Sequence, residues 1–481
     1  MDAQRAIARR MVLGLPREGL SAGWERDFAA YPPAGVIVFA RDFPDLAGLR
    51  RLTARLRELA RPRRLFIAMD EEGGWVSQLA GHFVVPPNAQ LLARGAEPGD
   101  LEWVARVTGE RLRALGIDWD FAPVADVHSA PLNPVIGARA FGADAETVAR
   151  HVGDVLRGFH AAGLAACLKH FPGHGDTTLD SHLALPACAA SRAALEAREL
   201  APFRAHPAAG AVMTAHVLYP ALDPDLPATF SRAIVHDLLR GTLGFEGVCI
   251  TDALEMKGAA AGRTPAEVAR LALAAGCDLA LFAFHDEALR RTRLELARAL
   301  ADGAFDRAGI DAARPRLAAF DQAHPEPTAA ELARPLDALT PRDWEPRLER
   351  IVERGIESRG VLPPELAVRP WRVTEPSFPH GPTLREELTA LSIPLESASG
   401  EAVEVVAVMS RVPLAGEEIT RLRALSRERA TVLVGLQNDA FLDQVPEAVL
   451  RVSTADATPL TRRVLARTLA RALRAAMESR A

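Results

Sequence analysis

The stretch ACLKHF, residues 166–171, is a short apolar run that ends in two ionisable side chains, Lys169 and His170. Apolar runs of the same kind recur along the chain, each followed by a loop and an amphipathic helical stretch: MVLGL (11–15), GVIVFA (35–40), LFIAMD (65–70), IDWDFAPVAD (117–126), AVMTAHV (211–217), VCITDAL (248–254) and DLALFAF (278–284). Near-continuous apolar strands that alternate with helices indicate a parallel sheet covered on both faces. Eight such units over roughly 300 residues predict an α/β fold, a (β/α)8 TIM-type barrel rather than an open doubly wound sheet.

Polar side chains collect at the carboxyl ends of these predicted strands. They are Asp70, Asp126, Lys169, His170, His216 and Asp252. Since barrels of this type keep their chemistry at that end, the sequence predicts an active site there.

The rest of the chain predicts a second, smaller domain. Residues 1–305 are interpreted as the catalytic barrel, and residues 306–365, which are rich in Pro and Arg, as a linker with docking helices. Residues 366–481 contain the apolar runs VEVVAVMS (403–410), ATVLVGL (430–436) and AVLRVS (448–453) between helical stretches, which predicts a C-terminal α/β domain. No Asp, Glu and His cluster occurs in it, so no catalytic residue is assigned there.

Composition excludes several classes of partner. The 481 residues carry a net charge of −5 and no long basic run with interleaved aromatics, which argues against nucleic acid. No apolar segment approaches the ~18 residues of a spanning helix, so no membrane is expected. The N-terminal stretch MDAQRAIARR is charged where a signal peptide is apolar, and the four cysteines show no CxxC spacing. We therefore expect a cytoplasmic protein with reduced thiols that acts on a small molecule as a monomer or weak homo-oligomer.

The segment KHFPGHGDTTLDSH, residues 169–182, raises the question of a metal site. His170 and His174 have the i, i+4 spacing of helical zinc ligands, but the Pro-Gly pair between them does not sustain a helix. No second ligand cluster follows. The sequence therefore predicts neither a metal nor a cofactor.

Proton transfer explains the same segment better. Asp180 and His182 are separated by one residue, and a carboxylate that accepts one imidazole N–H raises the basicity of the other nitrogen. A surface Asp-Ser-His turn is the alternative. Asp252 follows an apolar strand and precedes a helix, so it is either a helix N-cap or a nucleophile at the barrel mouth.

Two further sites have open interpretations. Asp70 begins the acidic run DEEGG (70–74), which fits a divalent cation or the hydroxyl groups of a sugar. Arg139, in the loop NPVIGARAFG (133–142), is either a substrate clamp or a salt-bridge partner of one of the acids.

Taken together, these stretches resemble the glycoside hydrolase family 3 β-N-acetylglucosaminidases, in a two-domain variant. The resemblance covers nearly all of residues 1–290, and its most specific part is KHFPGHGD…DSH followed by ITDALEM. It implies a β-N-acetylhexosaminidase of the peptidoglycan-recycling type, with a carbohydrate substrate. By the same resemblance Asp252 is the nucleophile and His182, oriented by Asp180, is the acid/base. Asp70, Arg139, Lys169 and His170 align with residues that hold the sugar ring.

The sequence departs from the family pattern near the acidic run. Gln78 stands where the family has arginine, and Trp75 takes another position that is often arginine. These changes leave the sugar open, so a β-glucosidase, a phosphorylase that uses inorganic phosphate, and a catalytically silent sugar-binding protein stay as alternatives. Trp75 either stacks on a sugar face or packs against its own loop.

Overall fold

A computed structural model of the chain describes residues 2–179, 184–284, 287–303, 307–395, 402–411 and 414–479. The chain forms two compact units. The first comprises Met1–Glu72, Glu102–Ala130 and Gly142–Pro341, and the second comprises Gly73–Leu101, Pro131–Phe141 and Arg342–Ala481. Residues 73–101 and 131–141, which lie inside the predicted barrel region, thus group with the C-terminal part. The domain ranges 1–305, 306–365 and 366–481 stay a prediction.

The strands, in chain order, are β1 Met11–Leu13, β2 Gly35–Ile37, β3 Phe66–Met69, β4 Trp119–Asp120, β5 Cys167–Phe171, β6 Ala211–Thr214, β7 Leu218–Tyr219, β8 Asp223–Pro227, β9 Val248–Ala253, β10 Leu279–Phe282, β11 Glu357–Gly360, β12 Trp371–Thr374, β13 Val403–Val408, β14 Thr431–Gly435 and β15 Leu450–Ser453. The α-helices are α1 Ala3–Ala8, α2 Ala22–Ala30, α3 Leu46–Ala60, α4 Ala89–Gly95, α5 Asp100–Ala114, α6 Ala145–Ala161, α7 Arg192–Ala197, α8 Ala201–Ala205, α9 Lys257–Ala260, α10 Pro265–Ala275, α11 Glu287–Ala301, α12 Arg307–Ala323, α13 Ala329–Leu332, α14 Trp344–Gly355, α15 Leu384–Ala390, α16 Gly416–Glu428 and α17 Pro459–Glu478. A π-helical segment, Ala233–Thr242, lies between β8 and β9.

The first unit is a barrel of eight parallel strands. Its order is β4-β3-β2-β1-β10-β9-β6-β5, and parallel bridges from Trp119 to Ala165 and from Val124 to Lys169 join the two outer strands. Backbone hydrogen bonds support this closure, for example from the Asp120 N–H to the Ala165 carbonyl at 2.8 Å. The predicted (β/α)8 barrel is therefore confirmed, with each of the eight predicted runs contributing one strand.

The barrel interior is filled by alternate residues of the strands, as the two-residue period of a strand requires. Trp119 lies at the centre of an aromatic group and is fully buried. Its ring centroid is 5.0 Å from that of Phe121 and 5.8 Å from that of Phe66. Since side chains fill the interior, chemistry is confined to the two ends of the barrel.

Local signals set where the surrounding helices begin. Asp144 caps α6 by accepting the Thr147 N–H at 2.8 Å. At α10, Thr264 precedes Pro265 and forms a reciprocal capping box with Glu267, and proline suits the first turn of a helix. These caps fix the entry of each helix onto the barrel surface.

The second unit contains a five-stranded sheet of order β11-β15-β14-β13-β12. Strands β12 to β15 pair in parallel, whereas β11 pairs antiparallel with β15. The predicted α/β domain is thus present, but the sequence analysis did not predict β11 and β12. The helix pair α4 and α14 approaches so closely that a Cβ on Gly95 would lie 1.8 Å from the Ile351 carbonyl oxygen.

All four cysteines are buried and free. Among the helices that the structure describes, none is both long and apolar enough to cross a membrane.

Candidate active site

Lys169, near the end of β5, is the positive centre of the barrel mouth. Its side chain is only 3 % exposed and its Nζ donates to Asp70 Oδ1 at 2.7 Å. Glu72 forms a second ion pair with the same ammonium group. The predicted sugar ligands Asp70 and Lys169 are therefore in direct contact, and two carboxylates share one cation. Sequence analysis named the acidic run but missed Glu72 as a partner of Lys169.

Asp126 organises the next part of the mouth. Its Oδ2 is 2.7 Å from His170 Nδ1, and its Oδ1 accepts the backbone N–H groups of His170 at 3.2 Å and His174 at 2.6 Å. Burial by itself raises the pKa of Asp126, but the charges of the two histidines and their hydrogen bonds outweigh it and hold the pKa below its ordinary value. The ionised carboxylate fixes the His170 ring, with Nδ1 as the donor.

Asp252 lies in β9, one residue before its end, and is half-buried. In the described part of the chain its carboxylate accepts one hydrogen bond, from the Ala253 N–H at 2.7 Å. Burial raises its pKa, yet the positive charges of His170, His216 and Lys169, together with that hydrogen bond, lower it overall. The site thus contains an ionised carboxylate with few protein partners.

His216, which follows β6, is fixed beside Asp252 by the neighbouring backbone. Its Nε2 is 3.0 Å from the Ala253 carbonyl oxygen and its Nδ1 is 2.8 Å from Thr229 Oγ1. Because a carbonyl oxygen only accepts, Nε2 carries the hydrogen. Sequence analysis placed His216 at a strand end without giving it a role.

The loop after β5 is folded against neighbouring barrel segments. A Cβ on Gly175 would lie 1.7 Å from the Val127 carbonyl oxygen, so this position requires glycine. The Tyr219 hydroxyl donates to the Gly173 carbonyl at 2.6 Å. His174 and Asp176 have supporting contacts, since His174 Nδ1 is 2.9 Å from Thr177 Oγ1 and Asp176 pairs with Arg198. Asp180 and His182 lie outside the described residues, so their assignment stays a prediction.

Asp120 is a buried carboxyl group that sequence analysis missed. Its Oδ1 accepts the Glu71 N–H at 3.0 Å, while Oδ2 is buried without a hydrogen-bond partner in the part of the chain that the structure describes. Burial raises the pKa of Asp120 well above its ordinary value, and the nearby carboxylate of Glu71 adds to this. A buried carboxyl group with a raised pKa therefore supports the turn that carries the acidic run.

Two residues that the sequence analysis named as possible contacts of the sugar, Arg139 and Trp75, belong to the second unit. There Arg139 donates from Nη1 to the Val135 carbonyl at 3.2 Å, and its assignment as a sugar ligand stays a prediction. Trp75 packs within its own unit, with the Arg411 guanidinium carbon 5.3 Å from its ring centroid. The Trp75 N–H also donates to Asn88 Oδ1 at 3.2 Å. No sequence signal linked Trp75 to a residue so far along the chain.

The two histidines of the proposed zinc spacing do not lie on a helix. His170 is part of β5, and His174 lies in the following loop. Across the described residues, no group of three or more His, Cys, Asp and Glu side chains has a metal-binding arrangement.

Comparison with known proteins identifies the family of the chain. Residues 21–319 match the glycosyl hydrolase family 3 N-terminal domain. The chain belongs to glycoside hydrolase family 3. A β-hexosaminidase from Alkalilimnicola ehrlichii is 41% identical over 289 residues, which are 58% of this chain and 82% of the relative. A β-hexosaminidase from Pseudomonas aeruginosa is 41% identical over 260 residues, which are 53% of this chain and 77% of the relative.

Among solved structures, a family 3 β-N-acetylglucosaminidase from Paenibacillus sp. strain FPU-7 is similar over both units. It aligns with a TM-score of 0.87 at 30% identity and covers 97% of this chain and 96% of its own. The resemblance deduced from the sequence is therefore confirmed, and this family 3 protein is a glycosidase.

Proposed function

We propose that this glycosidase is a retaining β-N-acetylhexosaminidase that removes terminal β-linked N-acetylglucosamine from peptidoglycan-type fragments in the cytoplasm. The names of its relatives support the sugar. The observation that carries the proposal is Asp252, an ionised carboxylate at the barrel mouth beside two histidines and Lys169. A retaining glycosidase needs such a group as nucleophile.

In the first step, Asp252 attacks the anomeric carbon and the glycosidic bond breaks. His182, oriented by Asp180, gives its proton to the departing oxygen. The product is a covalent glycosyl-enzyme. The low pKa of Asp252 supports this role, because a protonated carboxyl group is a poor nucleophile.

In the second step, water replaces the enzyme at the anomeric carbon. His182 accepts the proton of that water, so the acid of the first step acts as the base of the second. Asp252 leaves as a carboxylate, and the sugar departs with retained configuration.

Lys169, Asp70 and His170 are proposed to hold the sugar hydroxyl groups. The ion pairs of Lys169 with Asp70 and Glu72 and the bond from His170 to Asp126 fix these donors and acceptors before substrate arrives. Such preorganisation lowers the entropic cost of orienting the sugar.

The test is turnover of a panel of p-nitrophenyl β-glycosides. The N-acetylglucosaminide should be cleaved much faster than the glucoside, and Asp252→Ala should abolish both activities. A wild-type protein that cleaves none of these glycosides contradicts the proposal. Sugar-1-phosphate that forms only with added phosphate would instead identify a phosphorylase.

The role of His182 is tested by varying the leaving group. His182→Ala should lose most activity on substrates whose aglycone is a poor leaving group, and far less on dinitrophenyl substrates, which need no protonation. Equal losses on both substrate types would show that His182 is not the acid.

A further inference from the structure

Four residues at the carboxyl ends of three adjacent barrel strands form a surface that we call the arginine–aromatic rim: Arg17, Phe39, Arg41 and Phe284. Arg17 follows β1, Phe39 and Arg41 follow β2, and Phe284 follows β10. These strands are neighbours in the order β2-β1-β10. The rim therefore lies on the end of the barrel that carries Asp252.

The two arginines stack on the same ring. The guanidinium carbon of Arg17 is 4.3 Å from the Phe284 ring centroid, and that of Arg41 is 4.4 Å from it. Arg41 also lies 4.1 Å from the Phe39 centroid. Stacking holds each guanidinium plane in place while its edge keeps N–H groups for a ligand.

The positive charge of the rim is only partly compensated. In the described part of the chain Arg17 forms no ion pair, and its side chain is exposed. Arg41 is 37 % exposed, and its Nε is 3.8 Å from Asp42 Oδ1. Asp42 is also engaged by the Phe39 N–H, which donates to its Oδ2 at 2.8 Å. Two like charges that contact one ring repel each other, and an anion bound at this surface would relieve that repulsion.

The rim is connected by two hydrogen bonds to Glu255, three residues after the proposed nucleophile. Arg41 Nη2 donates to the Ala283 carbonyl at 2.9 Å, and the Ala283 N–H donates to Glu255 Oε1 at 2.6 Å. Glu255 lies close enough to Asp252 for the charge of Asp252 to raise its pKa.

The strand register gives the direction of the separation. Ala253, the residue after Asp252, pairs with Leu281, and Phe284 lies three residues further along the chain, beyond the end of β10 at Phe282. The rim therefore lies past the strand ends at the mouth that carries Asp252.

We propose that the arginine–aromatic rim binds a carboxylate on the aglycone, the part of the substrate that leaves. This inference rests on the proposed function, since it needs Asp252 to mark the cleavage point. The two guanidinium edges supply charge-assisted hydrogen bonds to the carboxylate, and the Phe39 and Phe284 rings supply an apolar floor for the carbon atoms beside it. The rim then selects substrates by the charge of the group that departs.

The test uses two N-acetylglucosaminides that differ in one substituent. Their aglycones are 4-methylumbelliferone and 7-hydroxycoumarin-4-acetate, which share a ring system and differ by a carboxylate. The wild type should favour the acetate-bearing substrate about fivefold in kcat/KM, and Arg17→Ala and Arg41→Ala should each reduce the ratio toward one. Added 0.5 M KCl should reduce it as well, since salt screens exposed charges.

Arg51→Ala is the matched control, because Arg51 is an exposed arginine on α3, outside the rim. It should leave the preference unchanged. A wild-type ratio near one, or a ratio that survives both rim substitutions, would overturn the inference.

A binding measurement separates this inference from the proposed function. Free 7-hydroxycoumarin-4-acetate is titrated by fluorescence anisotropy into wild type, Arg17→Ala and Arg51→Ala. Arginine-dependent binding by a protein that cleaves neither substrate would contradict the proposed function and support the rim. Cleavage of both substrates without arginine-dependent binding or preference would support the proposed function and contradict the role of the rim.

Discussion

The two ends of the barrel both carry buried carboxylates, but they pair them with different partners. At the amino-terminal end, Asp118 binds Arg57 and Arg64, each at 2.8 Å. At the mouth, Asp126 binds His170, and the lone ammonium of Lys169 serves two acids.

Asp278, which precedes β10, repeats the amino-terminal pattern, and three strands separate β10 from β4, the strand that Asp118 precedes. Its Oδ2 binds Arg240 at 2.7 Å and the Cys249 N–H at 2.8 Å, and its Oδ1 binds Arg316 at 2.6 Å. Arginine stays charged at any physiological pH, so these carboxylates are saturated and fixed. At the mouth, where the partners are histidine and one shared lysine, the carboxylate oxygens can still accept hydrogen bonds from a substrate. The difference indicates that one end contributes stability and the other reactivity.

The largest effect is expected at the mouth. Asp252→Asn should lower kcat about 10⁴-fold, close to 5.5 kcal/mol in the barrier, because the amide cannot form the glycosyl-enzyme. Its thermal midpoint should stay near that of wild type, since the carboxylate accepts a single local hydrogen bond in the described chain. Steady-state kinetics and calorimetry on the same preparation measure both. A large loss of stability with retained activity would reverse the assignment of this end.

The opposite result is expected at the other end. Asp278→Ala should destabilise the protein by about 3–4 kcal/mol, because two arginines and a backbone N–H lose a buried partner. Urea unfolding gives the free energy, and kcat per folded molecule should stay unchanged at low temperature. A selective loss of kcat would show that Asp278 serves the reaction. Asp311→Ala, at an exposed acid of α12, is the control.

The mouth side of this contrast could be predicted from the sequence, because the eight apolar runs mark strands and their last residues mark the mouth. The partners could not. Glu72 meets Lys169, and Asp118 meets Arg57, only through the folded barrel. Strand β11, with the sequence ESRG, is an exposed edge without apolar alternation, so pattern analysis does not detect it. Contacts between distant segments depend on topology, which local composition does not encode.

The third effect concerns acid stability at the amino-terminal end. Burial lowers the pKa of His324 from 6.5 to about 4, and the positive charges of nearby groups act in the same direction. The negative charge of Asp118 acts in the opposite direction but is outweighed. The unfolded chain therefore binds more protons between those values, and stability falls as pH drops through this window. At about 1.4 kcal/mol per unit of pKa shift, the full loss of stability from His324 is about 3 kcal/mol. Solvent screening of the half-buried ring reduces it to about 2 kcal/mol.

Replacing the ring by phenylalanine isolates this contribution. His324→Phe keeps an aromatic ring against Phe320, whose centroid is 4.7 Å away, and removes the titration. Urea unfolding at pH 7 and pH 4 should show a smaller acid loss for the variant than for wild type. His236→Gln, at an exposed histidine, should follow wild type. Identical pH dependence in His324→Phe would place the acid sensitivity elsewhere.

The smallest effect is expected at the mouth, where the pKa of Glu255 is shifted upward, in the opposite direction to that of His324. Burial and the nearby charge of Asp252 raise the pKa of Glu255 from 4.5 to about 7, despite the hydrogen bond from Ala283. The folded protein holds a proton there that the unfolded chain releases, so the contribution of Glu255 to stability is full below pH 4.5 and is lost as pH rises through 7. Because the side chain reaches the surface, screening limits the effect to about 1 kcal/mol.

Glu255→Gln should remove that loss, because its amide cannot ionise. Between pH 4.5 and pH 8 the free energy of unfolding should fall by about 1 kcal/mol less in the variant than in wild type. Glu246→Gln, at an exposed glutamate before β9, serves as the matched control. If wild type and Glu255→Gln lost the same stability over this range, the carboxyl group would be ionised throughout. The mouth would then resemble the amino-terminal end, where partners fix the charge, and the contrast between the two ends would rest on Asp252 and the histidines alone.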